Sequence, residues 1–293
     1  MTPPSARKPR TLYVSDLDGT LLSPEPAVTP QTARMLNAAI GAGALFTIAT
    51  ARTPATVAGL LADVRLTLPA AVMTGSALWN PRENTYSQAS FHSPEEARRI
   101  ITLLREMNLP AFIYSLNDDV IDIYHIGPLS DREKKFLEER SHTPYKRVCV
   151  PESGESVLPA DLSRISLFFA MQPTRQTEAV YRRLRAEADC TPVFYHDMYG
   201  PATGMLEVFG HDVSKANAVR RIAAMAGADR IVAFGDNIND LPMLRAADVA
   251  VAVGNAVEEV KREADVIIEP NTENSVARAI LDDYSGMRPL VGY

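Results

Sequence analysis

Cysteine is nearly absent. The 293 residues hold two, Cys149 and Cys190, far apart and without a CxxC spacing. That argues against a disulfide framework, suits a reducing cytoplasm, and leaves both thiols as expected packing residues. Long apolar runs are missing as well: no stretch of about twenty such residues occurs, so no membrane span is expected. Basic charge is outnumbered, 30 lysines and arginines against 36 aspartates and glutamates, for a formal net charge of −6. With no lysine- or arginine-rich stripe interleaved with aromatics, nucleic acid is not an expected partner. The five histidines, His92, His125, His142, His196 and His211, form no HxH or HExxH spacing and read as surface or core residues. At the N-terminus, MTPPSARKPR is basic and proline-rich but no apolar segment follows, which predicts a frayed tail and not a signal peptide.

What is present is the composition of a globular protein, 46% hydrophobic and 23% charged. A chain of this length suits two domains, since single cores stop growing near this size. Short β-branched runs alternate with amphipathic helical patterns, which predicts an α/β class: a Rossmann-like three-layer core sheet with helices on both faces, plus an inserted α+β cap domain. TLYVSDL, ALFTIAT and AAVMTG read as strands. Helices are expected at TPQTARMLNAAI, capped by Thr29 with Pro30 in the first turn, and at PATVAGLLADV. The same grammar returns near the C-terminus, with helices at SKANAVRRIAAMA, NDLPMLRAA and NAVEEVKREA and strands at RIVAFGD, DVAVAV and DVIIEP. Residues 81–201 have another texture, with aromatic strands (AFIYSL, DVIDIYHI, RISLFFAMQ, TPVFYHDMYG) and helices opened by capping boxes at Ser93/Glu96 and Ser130/Glu133. The expected domains are therefore 1–80 with 202–293 as the core, and 81–201 as a cap placed like a lid.

Four short stretches carry chemistry. In YVSDLDGTLL, Asp16 and Asp18 stand one residue apart at the end of an apolar run. On a continuing strand they share a face, so their repulsion calls for a cation, and Gly19 allows a sharp turn out of the sheet. Alone, this is equally an Asp-rich turn. IVAFGDNIND ends another apolar run with Asp236, Asn237, Asn239 and Asp240. Oxygen ligands without histidine or thiolate favour Mg²⁺, which keeps positions open for water or phosphate oxygens. FTIATAR ends a strand in Thr50, Ala51 and Arg52, whose hydroxyl and backbone amides could bind phosphate. Lys215 follows Ser214, a candidate N-cap, so a cation stands at the positive end of a helix, which suggests an anion nearby.

Taken together, DLDGTLL, ATAR, VSKANAV and GDNIND resemble the four motifs of the haloacid dehalogenase (HAD) superfamily. NAVEEVK and EPNTENSVARAI extend the likeness to the Cof-type phosphatases, whose large α/β cap (type IIB) lies between the second and third motifs. The resemblance implies Asp16 as a carboxylate nucleophile forming an aspartyl-phosphate, with Asp18 as general acid and then base. It implies Mg²⁺ held by the Asp16 carboxylate, the Asp18 carbonyl and the Asp236 side chain. Thr50, Ala51, Lys215 and Asn239 would bind the phosphoryl group, supported by Asp240, Arg52 and Gly19. Two departures stand out: Ala51 replaces the glycine of ATGR, and Met73-Thr74-Gly75 replaces an Asn-Gly pair.

The expected function is a Mg²⁺-dependent, cytoplasmic phosphatase of small phosphorylated metabolites, foremost sugar phosphates, working as a monomer or homodimer. A phosphomutase of the same superfamily and a non-catalytic phosphometabolite-binding protein are the alternatives. In the cap, Tyr114, Asp122, Tyr124, His125, His196 and Tyr199 could line a cavity, but alternating aromatic strands more simply pack a cap core.

Overall fold

The computed structural model describes residues 9–23, 27–151, 153–197 and 200–291. The strands are β1 (Thr11–Ser15), β2 (Leu45–Ile48), β3 (Ala70–Val72), β4 (Ala77–Asn80), β5 (Thr85–Ala89), β6 (Ala111–Asn117), β7 (Val120–Ile126), β8 (Lys146–Val148), β9 (Ile165–Pro173), β10 (Thr191–Asp197), β11 (Gly200–Phe209), β12 (Arg230–Gly235), β13 (Val249–Ala252) and β14 (Val266–Ile267). The helices are α1 (Pro30–Gly41), α2 (Pro54–Leu60), α3 (Pro94–Glu106), α4 (Asp131–Glu138), α5 (Thr174–Glu187), α6 (Lys215–Ala226), α7 (Leu241–Leu244), α8 (Glu258–Glu263) and α9 (Ser275–Ser285). No helix among the described residues is long and apolar enough to cross a membrane.

The chain divides into two units. The first takes the residues up to Ser87 and from Ser214 onward. Its five-stranded sheet has the order β14-β13-β12-β1-β2, all parallel. β1 is buried at every position, as a parallel strand covered on both faces must be, so it reads as a continuous apolar run. Beyond β2, Ala49 bridges Ala71 in parallel, which brings β3 alongside; β3 then pairs with β4, and β4 with β5. The chain leaves β1 toward β2 on one side and returns to β12 on the other. That reversal opens a crevice at the carboxyl ends of β1 and β12, where open α/β sheets bind ligands.

Helix ends follow the sequence signals. Thr29 caps α1 by accepting from Thr32 N, and Ser214 caps α6 by accepting from Asn217 N. Gly227 ends α6 in the left-handed region at φ 60°, which costs a glycine little. Several elements are shorter than the sequence pattern suggests, among them α2, which ends at Leu60, and β14, which keeps only Val266–Ile267 of DVIIEP. β1 stops at Ser15: Asp16 N still bonds Phe234 O, but Leu17 O then accepts from Thr20 N and Leu22 N and closes a turn. The helix in NAVEEVKREA covers only Glu258–Glu263, because the Asn255 side chain donates to Gly19 O and accepts from Asn271 N. α7 is a single turn, Leu241–Leu244.

The second unit spans Gln88–Val213, later at both ends than 81–201, because β11 continues to Phe209 in register with β9. Its six-stranded sheet has the order β10-β11-β9-β6-β7-β8. Ile100 and Leu104 of α3 and Val180 and Leu184 of α5 pack against Ile113, Phe168 and Val208 in one buried cluster. Of the two capping boxes expected here, Ser130/Glu133 is complete; at Ser93 the cap accepts from Glu96 N, while the Glu96 carboxylate lies 3.8 Å from Arg99 Nε. Packing explains most of the aromatic and polar residues singled out in this region. Tyr114 is 4% exposed, Asp122 holds Arg147 through two bonds and accepts from Asn117, and His196 stacks edge-on against Phe194. His125 is buried between Gly127 O and Glu133, and Tyr124 packs on the core cluster. Tyr199 and the first eight residues of the N-terminal tail lie outside the described residues. Both cysteines are free, and burial pushes the Cys190 thiol up to about 12, which keeps it unreactive.

Candidate active site

Parallel pairing of β1 with β12 sets Asp16 beside the Phe234–Asp236 segment at the end of the sheet. Asp16 is 6% exposed, and its Oδ1 accepts from Lys215 Nζ at 2.5 Å. The same ammonium donates to Asp240 Oδ1 at 2.7 Å. Ser214 starts α6 just before Lys215, so the lysine emerges at the helix start and its charge is met by two carboxylates. Asp240 Oδ2 accepts from the backbone amides of Asp236 and Asn237 at 3.1 and 3.2 Å. Its two oxygens are therefore saturated by donors, and it holds Lys215 and the Asp236 loop in place. A Cβ on Gly235 would come within 2.7 Å of the Asp240 Cβ, so the strand must end in glycine for this fit.

Asp236 is fixed by Thr20, whose Oγ1 donates to Oδ1 at 2.8 Å. Thr20 is 1% exposed and is a site residue that the motif reading passed over, although it stands in the quoted DLDGT. Gly19 adopts φ 82°, and a Cβ there would fall 2.4 Å from Asp236 Oδ2. The turn after β1 thus needs glycine twice, for its backbone and for the carboxylate that lies against it. Asn255, inside NAVEEVK, donates to Gly19 O at 2.8 Å and ties this turn to the segment after β13.

Asp16 and Asp18, adjacent in the motif, face different surroundings. The Asp18 side chain is 54% exposed and sits in a two-bond fork from Arg52, Nε at 2.7 Å and Nη2 at 2.6 Å. Each carboxylate thus has a cation of its own, Lys215 for the buried one and Arg52 for the exposed one. Thr50 is buried, donates its amide to Ala71 O and accepts from Arg52 N through Oγ1 at 3.1 Å. Ala51 is exposed and stays out of the positive-φ region, so alanine replaces glycine there without strain. Asn239 is exposed on the turn Ile238–Asp240. Met73, Thr74 and Gly75 form a run of three positive φ angles, 49°, 57° and 90°, where the Asn-Gly pair was missing from the sequence pattern.

Carboxylate oxygens of Asp16, Asp236 and Asp240 lie within 4.8 Å of one another. Three carboxylates and one ammonium leave two negative charges in a largely buried space. Burial drives Asp16 up to about 7 against the opposing pull of Lys215, and burial likewise lifts Asp236 to about 6. Lys215 is raised, the two carboxylates outweighing its burial. Among the described residues, no hydrogen-bond donor engages the second oxygen of Asp16 or of Asp236. An all-oxygen donor set with two uncompensated charges fits a hard divalent cation, held by Asp16 and Asp236 with Asp240 behind them.

Comparison with known proteins gives the family. The profile of haloacid dehalogenase-like hydrolases matches residues 13–280. The pyridoxal phosphate phosphatase YbhA of Escherichia coli is 27% identical over 268 residues, covering 90% of this chain and 95% of that protein. The 5-amino-6-(5-phospho-D-ribitylamino)uracil phosphatase YitU of Bacillus subtilis is 24% identical over 277 residues, covering 94% and 97%. The HAD subclass IIB sugar phosphatase BT4131 superposes with a TM-score of 0.68 at 22% identity, covering 95% of this chain and 100% of that one. With the matched region running from within β1 into α9 and holding every acidic residue of the cluster, the chain belongs to the haloacid dehalogenase-like hydrolases.

Proposed function

We propose that the chain is a Mg²⁺-dependent phosphatase that hydrolyses small phosphorylated metabolites, sugar phosphates foremost, through an aspartyl-phosphate on Asp16. The observation that carries this reading is the Asp16 carboxylate, buried and oriented by Lys215 Nζ at 2.5 Å, with Asp236 and Asp240 inside 4.8 Å. The named activities of YbhA, YitU and BT4131 lend support, since each removes phosphate from a small molecule.

Asp16 attacks phosphorus; the P–O bond to the leaving alkoxide breaks as the carboxylate–phosphorus bond forms. Asp18 gives the alkoxide its proton and afterwards takes one from the water that cleaves the acyl-phosphate, returning Asp16 and free phosphate. The Arg52 fork aims Asp18 and occupies both of its oxygens, so it has to open at one of them for Asp18 to carry the proton it gives to the alkoxide. Thr50 and Lys215 bind the phosphoryl oxygens, with Ala51 and Asn239 contributing at the rim. Asp16, the Asp18 carbonyl and Asp236 would hold a divalent ion, which would supply neutralisation of the charge gathered at the nucleophile and the phosphoryl group. Cytoplasmic residence belongs to the same proposal and accords with two free thiols.

A phosphate-release screen over sugar phosphates, pyridoxal phosphate and other metabolite phosphates with Mg²⁺ tests it. Release that a chelator removes and that Asp16→Asn lacks is expected. Wild-type turnover in Asp16→Asn would refute the nucleophile.

A further inference from the structure

Arg221 is a cation that the chemistry above does not use. It lies on α6, six residues after Lys215, and its Nη2 donates to Gly75 O at 2.8 Å. Its Nε is buried with no hydrogen-bond partner, and burial lowers its proton affinity. Among the described residues no carboxylate pairs with it. An arginine kept in such a place for a single backbone carbonyl calls for a reason, and the reason lies in the turn it grips.

That turn is Met73–Gly75, with three consecutive left-handed residues, two of which carry side chains that disfavour this region. Its amides reach the second phosphate-binding segment: Thr74 N donates to Thr50 O at 3.0 Å and Met73 N to Arg52 O at 2.9 Å. Its last residue touches the helix that carries Lys215. A Cβ on Gly75 would stand 2.5 Å from Ser214 O and 2.9 Å from the Ala218 Cβ. The turn is therefore wedged between Thr50–Arg52 and the start of α6, and Arg221 clamps it from the helix side.

We propose that Arg221 is a positioning residue: through Gly75 it locks the Met73–Gly75 turn against α6 and so fixes the spacing of Thr50 and Lys215, which must grip one phosphoryl group together. This rests on the phosphatase reading. A small misplacement of either group weakens the phosphoryl contact without touching the nucleophile.

The test compares wild type, Arg221→Met and Arg221→Lys. Methionine keeps the length and loses the donor; lysine keeps a donor for Gly75 O. The expected result for Arg221→Met is about tenfold weaker binding of orthophosphate by titration calorimetry and about tenfold lower kcat/KM, at a temperature where the variant is fully folded. Arg221→Lys should recover most of both losses. Wild-type orthophosphate affinity and kcat/KM in folded Arg221→Met would overturn the proposal, as would losses that only follow the unfolded fraction. Absence of phosphatase activity in the wild type would instead refute the function reading, while the calorimetric comparison would still judge Arg221.

Discussion

Thr20 shows how a single hydroxyl decides the chemistry of an acid 216 positions away in the chain. Burial lifts Asp236 toward protonation, and the Thr20 hydroxyl is the largest force pulling it back. Removing that donor should leave a carboxylate less well aimed and less readily ionised. Thr20→Val is therefore expected to raise the Mg²⁺ concentration for half-maximal phosphate release about tenfold, the usual scale for losing a group that orients a metal ligand. Titration of activity against Mg²⁺ checks this; an unchanged midpoint would remove Thr20 from the account. The acids themselves were legible in the sequence because carboxylates one residue apart at a strand end are conspicuous. Thr20 was less so, since a threonine after Asp-Gly suits a turn on its own account.

At the scale of elements, the segment between β5 and α3 depends on an uncharged histidine. His92 is 3% exposed; its Nε2 donates to Val208 O at 3.1 Å, Nδ1 has no partner, and Phe168 stands edge-on at 5.2 Å. Burial lowers His92 to about 4, below the 6.5 of a free imidazole. Between those values the unfolded chain takes a proton that the folded one refuses, so stability is complete above pH 6.5 and falls as pH drops toward 4. The loss from this one group is about 3 kcal/mol at its limit. Urea melts of wild type and His92→Gln at pH 7 and pH 4.5 should show a smaller acid-induced loss in the variant; equal losses would mean that other groups govern acid unfolding. On either side of it, sequence patterning marked α3 through its cap at Ser93 but not β5, whose TYSQA is half-buried and carries no apolar alternation. It overextended β1 and the helix after Asn255, where side chains take over backbone bonding, and no local pattern reports such long-range partners.

Over the whole molecule, the account rests on four segments far apart in sequence meeting at one sheet end. The order β12-β1-β2 brings Asp236, Asp16 and Thr50 onto neighbouring strand ends, and α6 delivers Lys215 to Asp16 and Asp240. This convergence was readable because strand-end motifs in an α/β chain face the same edge. The Arg52–Asp18 fork and the left-handed turn at Met73–Gly75 were not, since neither a long-range ion pair nor a φ angle is written in residue spacing. The central claim is that the assembled site makes Asp16 a nucleophile toward phosphorus while Asp18 handles protons. An aryl phosphate, whose leaving group needs no proton, should phosphorylate Asp18→Asn and leave it trapped, because the water step lacks its base. The most direct measurement is peptide mass spectrometry of Asp18→Asn after exposure to p-nitrophenyl phosphate and Mg²⁺. The account predicts one added phosphoryl group, on Asp16, that disappears in the Asp16→Asn/Asp18→Asn double variant; an adduct on another residue, or none while nitrophenol is still released in a burst, would contradict it.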